Sequence, residues 1–162
     1  NKQLIGLDEL TSACLANTKQ VIAAHTIEVH VPADLPKAPM DFSLMELALC
    51  NLLVNAAEFA PKGTKITITG NADKIHLIVS ITDQGPGVPP DVIEYLYDET
   101  GKESSQMAVG FGLAIVKAIS ELHGGRFEIL NNSPTGSVFS IFVPIQGAEP
   151  HRKPYTATLI KW

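Results

Sequence analysis

Three short segments of this chain carry side chains whose types and spacing allow ligand chemistry. The first is Asn51-Leu-Leu-Val-Asn55-Ala-Ala-Glu58, inside a run whose apolar spacing predicts a helix. Residues three and four apart on a helix share a face, so Asn51, Asn55 and Glu58 form one polar stripe. Leu47, Leu49, Leu52, Leu53 and Val54 surround it, which predicts a helix buried on several sides whose amides must find partners. Amide oxygens are hard donors suited to magnesium, an ion that keeps several waters and shares phosphate oxygens. The second segment is Asp83-Gln-Gly85-Pro-Gly87-Val88, at the end of a β-rich run. Its glycines permit positive φ and close approach of a ligand to the backbone, and a carboxylate there can accept from an exocyclic amine such as that of adenine. The third is Gly110-Phe-Gly112-Leu-Ala-Ile-Val-Lys117, where two glycines open a helical pattern. Free amide groups at such a terminus favour phosphate oxygens, although the spacing is not that of a P-loop. Taken singly, each has a plainer reading: asparagines tying down loops, a turn after a strand, and a helix start without a ligand.

The elements that must position these groups alternate along the chain. Helical spacing covers Leu10–His25, a strand Thr26–Val31, a proline-rich loop Pro32–Pro39, and a long helix Phe42–Ala60 introduced by Met40-Asp41. Two β-rich runs follow, Thr64–Gly70 and Lys74–Thr82, with Asn71-Ala72-Asp73 as a hairpin turn. A short helix Asp91–Tyr97, a polar connection Asp98–Ala108 and a helix Gly110–His123 closed by Gly124-Gly125 come next. Arg126–Leu130 and Ser137–Ile145 read as a final strand pair. Strands interleaved with helices predict an α/β two-layer sandwich, a sheet covered on one face by helices.

The bulk composition narrows the class. The 162-residue chain is 45% hydrophobic and 18% charged, as in an ordinary domain with one core. Lys and Arg total 12 against 17 acids, so a general nucleic-acid binder, which needs a basic face, is disfavoured. Cys14 and Cys50 stand far apart and form no CxxC pair, which predicts neither a disulfide scaffold nor a zinc site and fits a reducing compartment. No apolar run approaches the roughly 18–20 residues needed to cross a bilayer, and Asn1–Leu10 has no signal-peptide pattern. The chain begins without methionine, which reads as a piece of a longer protein.

Taken in order, an asparagine helix, a strand ending in Asp-x-Gly-x-Gly, a polar lid and a glycine-led helix resemble the ATPase fold shared by histidine kinases, gyrase, the Hsp90 chaperone and the MutL repair protein. The wording is closest to the histidine kinases. NLLVNAAEFAP resembles their asparagine box, DQGPGVP their first glycine box and GFGLAIVKAISELHGG their second, across about Ile27 to Pro144. The resemblance implies a mixed, mostly antiparallel sheet of the Bergerat type and a domain that binds ATP and Mg2+. By the same resemblance Asn55 binds magnesium, and Asn51, the candidate catalytic residue, helps through the metal or its waters. Asp83 reads the adenine amine, with room left by Gly85 and Gly87. Gly110 and Gly112 meet the phosphates, and Val88 and Leu113 wall the base or serve simply as core. In gyrase-like relatives a glutamate stands where Asn51 does and activates water. Asparagine cannot act as a general base, which argues for phosphoryl transfer over hydrolysis.

Under this reading residues 1–10 are a linker from an upstream helical hairpin, 11–146 the ATP-binding domain and 147–162 a tail. The implied partners are that hairpin, which dimerises and carries the phosphoacceptor histidine, and a response regulator. The whole protein is expected to be a homodimer, working in the cytoplasm or anchored to the cell membrane, with no membrane contact by this fragment. None of His25, His30, His76, His123 or His151 has the context of a phosphoacceptor, so all are expected to be structural or surface residues. Departures from the pattern are Glu58 in place of a basic residue, Ala108 and Val109 in the second glycine box, and Tyr95-Leu-Tyr97 in place of the phenylalanine motif. A negative Glu58 where the resemblance implies a positive side chain is expected to weaken triphosphate binding, unless Glu58 faces solvent, pairs with Lys62 or Lys65, or joins the metal shell. These departures favour one alternative, a degenerate nucleotide-sensing or interaction module without transfer; a second is a serine kinase of the anti-sigma-factor type, which shares the fold and lacks a histidine hairpin.

Overall fold

A computed structural model describes residues 1–98, 107–132 and 135–145. Its main sheet follows from period-two burial. In β4 (Lys65–Ala72) Ile66 and Ile68 are buried; in β5 (His76–Asp83) Leu77, Val79 and Ile81; in β7 (Ser137–Pro144) Phe139, Ile141 and Val143. Alternate side chains point to opposite faces, so these residues line one face. With β2 (Thr26–His30) and β6 (Arg126–Asn131) the five strands run in the order β2-β4-β5-β7-β6. β2 and β4 are parallel and the remaining pairs antiparallel, the mixed, mostly antiparallel sheet expected.

Helices cover the apolar face. The long helix α2 (Phe42–Phe59) and the later helix α4 (Met107–Leu122) pack on each other and on the sheet, burying Met45, Leu49, Leu52 and Leu53 from one and Leu113, Val116 and Ile119 from the other. α1 (Leu7–Thr18) lies against α2, and α3 (Pro90–Tyr97) against α4. The opposite face of the sheet is half-exposed and more polar. There the Ser80 and Ser140 hydroxyls meet at 2.7 Å, and the Arg126 guanidinium lies 3.6 Å above the Phe142 ring centre.

α2 opens at Asp41, whose Oδ1 accepts the Leu44 N–H at 3.1 Å, satisfying one of the donors a helix start leaves free. α4 closes in a Schellman motif: Gly124 N donates to the Glu121 carbonyl and Gly125 N to the Ser120 carbonyl. Gly124 has φ +74°, and a side chain at Gly125 would collide with the Phe142 carbonyl, so both positions require glycine.

Several local expectations are corrected. Within the first ten residues β1 (Gln3–Ile5) pairs antiparallel with β3 (Ala38–Met40), and Leu7 and Leu10 are buried. β3 replaces the end of the expected proline-rich loop, and Pro39 is accommodated in a two-stranded ribbon where a missing donor costs little. The first helix stops at Thr18, short of His25. The hairpin turn sits at Asp73, one residue beyond the strand end, because its carboxylate accepts both the Ile75 and His76 N–H groups. The glycine-led helix starts at Met107, so Gly110 and Gly112 lie within its first two turns. Packing of Leu113 and Val116 outweighs glycine's low helix propensity. α2 is less enclosed than expected, with Leu47 and Val54 exposed. Its length and mean hydropathy of 1.3 would suffice to cross a membrane by composition alone, a test that a helix packed in a domain core also meets. The lid residues 99–106, and the tail with His151 and Trp162, lie outside the described residues.

Candidate functional site

Asp83 ends the inward ladder Leu77, Val79, Ile81 and is only 6% exposed. A carboxylate on the apolar face is costly unless hydrogen-bonded. Here Oδ1 accepts the Gly85 N–H at 2.8 Å, and the Ser137 N–H of the neighbouring strand also donates to the group. Burial raises its pKa above the ordinary aspartate value, while these two donors pull it back.

The loop after Asp83 is held from three sides. A Cβ on Gly85 would lie 3.4 Å from both the Phe59 carbonyl and the Ala60 nitrogen, so the loop passes directly against the C-terminal end of α2. The Gly136 N–H donates to the Gly85 carbonyl at 2.6 Å. Asn131, at the end of β6, grips the loop through its side-chain amide: Oδ1 accepts the Val88 N–H at 3.0 Å and Nδ2 donates to the Val88 carbonyl at 2.9 Å. Gly87 has φ +86° and passes so close that a Cβ would meet Asn131 atoms at 3.2 Å. Asn131 went unnoticed in the sequence; an asparagine at a strand end beside Asn132 looks like any turn residue.

On α2, Asn55 lies one turn and Asn51 two turns before the end that Gly85 touches, and both are half-buried. The Asn51 Nδ2 is buried and makes no hydrogen bond to the described residues. Glu58, third in the stripe, is exposed and pairs with neither Lys62 nor Lys65; Lys65 instead lies 3.5 Å from Glu28. Among the described residues no three His, Cys, Asp or Glu side chains cluster to hold a metal. On α4, a Cβ at Gly112 would meet no atom of another described segment within 4 Å, while Leu113 is buried. Val88 is likewise part of the core.

The structure therefore assembles Asp83, Gly85, Gly87 and Val88 into one clamped turn against the end of the asparagine helix. It packs the α4 helix that carries Gly112 and Leu113 on that same helix. Tyr97, from the degraded phenylalanine motif, donates to the Phe127 carbonyl at 2.5 Å and serves as an anchor; burial pushes its pKa up. Of the histidines, His123 is structural. Its Nε2 accepts the Asp41 N–H at 2.9 Å, which leaves Nδ1 as the donor to the Ile119 carbonyl at 2.7 Å. It thereby ties the end of α4 to the cap of α2. His25 bridges the Thr64 and Ala57 carbonyls, His76 is buried beside Asp73, and His30 is exposed beside Glu28.

Residues 40–147 match the family described as histidine kinase-, DNA gyrase B- and HSP90-like ATPase. The match covers more than half of the chain, and the chain belongs to this family, an ATP-binding ATPase fold. Among individual proteins it is similar to the sensor protein KdpD of Clostridium acetobutylicum, with 34% identity over 143 residues, covering 85% of this chain and 16% of that protein. The chain thus spans about a sixth of that relative's length. Of solved structures, the mycobacterial sensor histidine kinase MprB shares 29% identity and a TM-score of 0.72, covering 89% of this chain and 97% of that one. The catalytic domain of the histidine kinase ThkA shares 26% identity at a TM-score of 0.72, covering 89% and 95%.

Proposed function

We propose that this chain is the ATP-binding catalytic domain of a two-component sensor histidine kinase, which transfers the γ-phosphate of ATP to a histidine on a separate dimerisation domain. The observation that carries the proposal is the buried Asp83 carboxylate, held by the Gly85 N–H in a turn packed against the helix of Asn51 and Asn55. In this reading Asp83 accepts the adenine amino group, Gly85 and Gly87 leave room for the base, and Val88 and Leu113 form apolar walls. Gly110 and Gly112 let the start of α4 approach the phosphates.

A divalent ion fits the site's chemistry. Asn51 and Asn55, both half-buried, two turns and one turn before the end of α2, offer amide oxygens of the hard-donor type that suits it. Mg2+ there would neutralise charge on the phosphates. The chain's own contribution is positioning and exclusion of water, since asparagine at position 51 lacks the basicity to activate a water. The accepting imidazole then takes the phosphoryl group and ADP leaves.

The partners of this reading are an upstream helical hairpin, dimerising and bearing the phosphoacceptor, and a response regulator that receives the group from it. The working compartment is the cytoplasm. A non-hydrolysable ATP analogue with Mg2+ should raise Tm, because a ligand that binds only the folded state stabilises it. Asn55→Ala and Asp83→Ala should each abolish the rise; a full rise in both variants would mean the wrong pocket. Mixing the domain with its hairpin and labelled ATP tests transfer, and an unlabelled histidine with intact binding would favour a sensing module that transfers nothing.

A further inference from the structure

Cys14 and Cys50 are separated by 36 positions in sequence, yet their sulfurs lie 3.0 Å apart across the packed pair α1 and α2. Both are free thiols, Cys14 fully buried and Cys50 half-exposed. The Cys14 turn is fixed further by the Thr18 hydroxyl, which donates to its carbonyl at 2.8 Å. The two sulfurs are thus already closer than ordinary non-bonded contact, and neither belongs to the proposed nucleotide turn.

We propose that Cys14 and Cys50 form a dithiol site that reacts with two-electron oxidants of the hydroperoxide class and closes to an intramolecular disulfide joining α1 to α2. Cys50, the half-exposed sulfur, reacts first: its sulfur attacks the outer peroxide oxygen, the O–O bond breaks, and a sulfenic acid forms as an alcohol or water leaves. The Cys14 sulfur, already in contact, then attacks the sulfenyl sulfur; the S–S bond forms and the hydroxyl leaves as water. Two thiols lose two hydrogens and two electrons in all, and the peroxide is reduced to alcohol (or water) plus water. Because the pair is intramolecular and preplaced, the second step outruns further oxidation of Cys50. Cys50 immediately precedes Asn51, so the cross-link fastens α1 to the turn that carries that amide.

Incubating the reduced chain with a small excess of hydrogen peroxide, then alkylating under denaturing conditions, gives a direct readout. Both thiols should disappear together, the mass should fall by two hydrogens without dimer formation, and dithiothreitol should restore both. Closing a loop of this size should also raise Tm by roughly 5–10 °C relative to the reduced form. Cys50→Ser, a half-exposed position that should fold normally, is expected to leave Cys14 alkylatable after the same treatment. The proposal is overturned if Cys50 proceeds to sulfinic acid while Cys14 stays free, or if the disulfide is intermolecular. It is equally overturned if neither thiol reacts within the time that a small-molecule thiol is consumed.

Discussion

Changing Asp83 to Asn keeps the shape of the side chain and removes its charge, and the consequences for the fold and for the ligand separate. The Asn Oδ1 can still accept the Gly85 N–H now made at 2.8 Å, so the turn has its main anchor. The other terminus becomes an NH2 donor and meets the adenine amino group donor to donor. A hydrogen bond to a charged group contributes about 1.5–3 kcal/mol. At tenfold per 1.4 kcal/mol, the affinity for an ATP analogue should fall about 10- to 150-fold. The same change should favour a 6-oxo purine, so the preference for ATP over inosine triphosphate should shrink or invert, which calorimetric titration with both nucleotides would measure. Stability should move in the opposite direction or hardly at all. Burial raises the native carboxyl's pKa above its ordinary 3.8, so the folded chain holds that proton to higher pH than the unfolded one. Its contribution to folding therefore declines as pH rises through that interval, and asparagine removes the decline. At pH 7 the variant should melt no lower than the parent, to within about 1 kcal/mol, provided the single amide oxygen accepts the Ser137 N–H as well as the Gly85 N–H. If Asp83→Asn binds both nucleotides as the parent does while remaining folded, the carboxylate does not read the base.

His123→Ala deletes the acceptor of the Asp41 N–H and should cost about 1–3 kcal/mol in denaturant unfolding. In the parent, burial holds the His123 pKa below its ordinary 6.5, so its contribution is complete above about that pH and is lost as pH falls through the folded value. Melting curves from pH 8 to 5 should show this acid-side loss in the parent and a smaller one in the variant. Asn131→Ala removes both bonds to Val88 and should lower nucleotide affinity about 3- to 10-fold, with about 1–2 kcal/mol lost in stability. Unchanged affinity there would mean the loop holds its shape without the clamp. Glu58→Lys should alter affinity less than about threefold, because solvent screens an exposed charge. A larger tightening, seen by the same titration, would place Glu58 within reach of the phosphates.

Where a residue's role depends on local period, the sequence was readable. Alternation through Leu77, Val79 and Ile81 puts Asp83 on the helix-covered face without any knowledge of the partner strands. The polar stripe of α2 and the Gly124-Gly125 stop follow in the same way from helix geometry. Roles that depend on register between distant segments were not readable. Asn131 reaches Val88 only because β6 pairs with β7 so that Asn131 faces Ser137, the partner of Asp83 on the other side. The Cys14 and Cys50 contact depends on how α1 settles on α2, and the small ribbon of β1 and β3 on a proline-rich segment finding the chain's first residues.

The two kinds of residue meet at Asp83. A core position at the end of an apolar ladder would be filled more cheaply by valine, and nothing in the packing of Phe139 and Ile81 beside it calls for a charge. The surrounding chain nevertheless aims two backbone donors at the carboxylate, keeps Gly85 bare so the loop can press against α2, and fixes the far side of the turn through Asn131. Holding one acid with this many distant contacts, where local rules favour an apolar side chain, supports the proposed role of Asp83 as a ligand-reading carboxylate. The energetic mismatch at this one position would be the same had the glycines around Asp83 been spaced in some unfamiliar way.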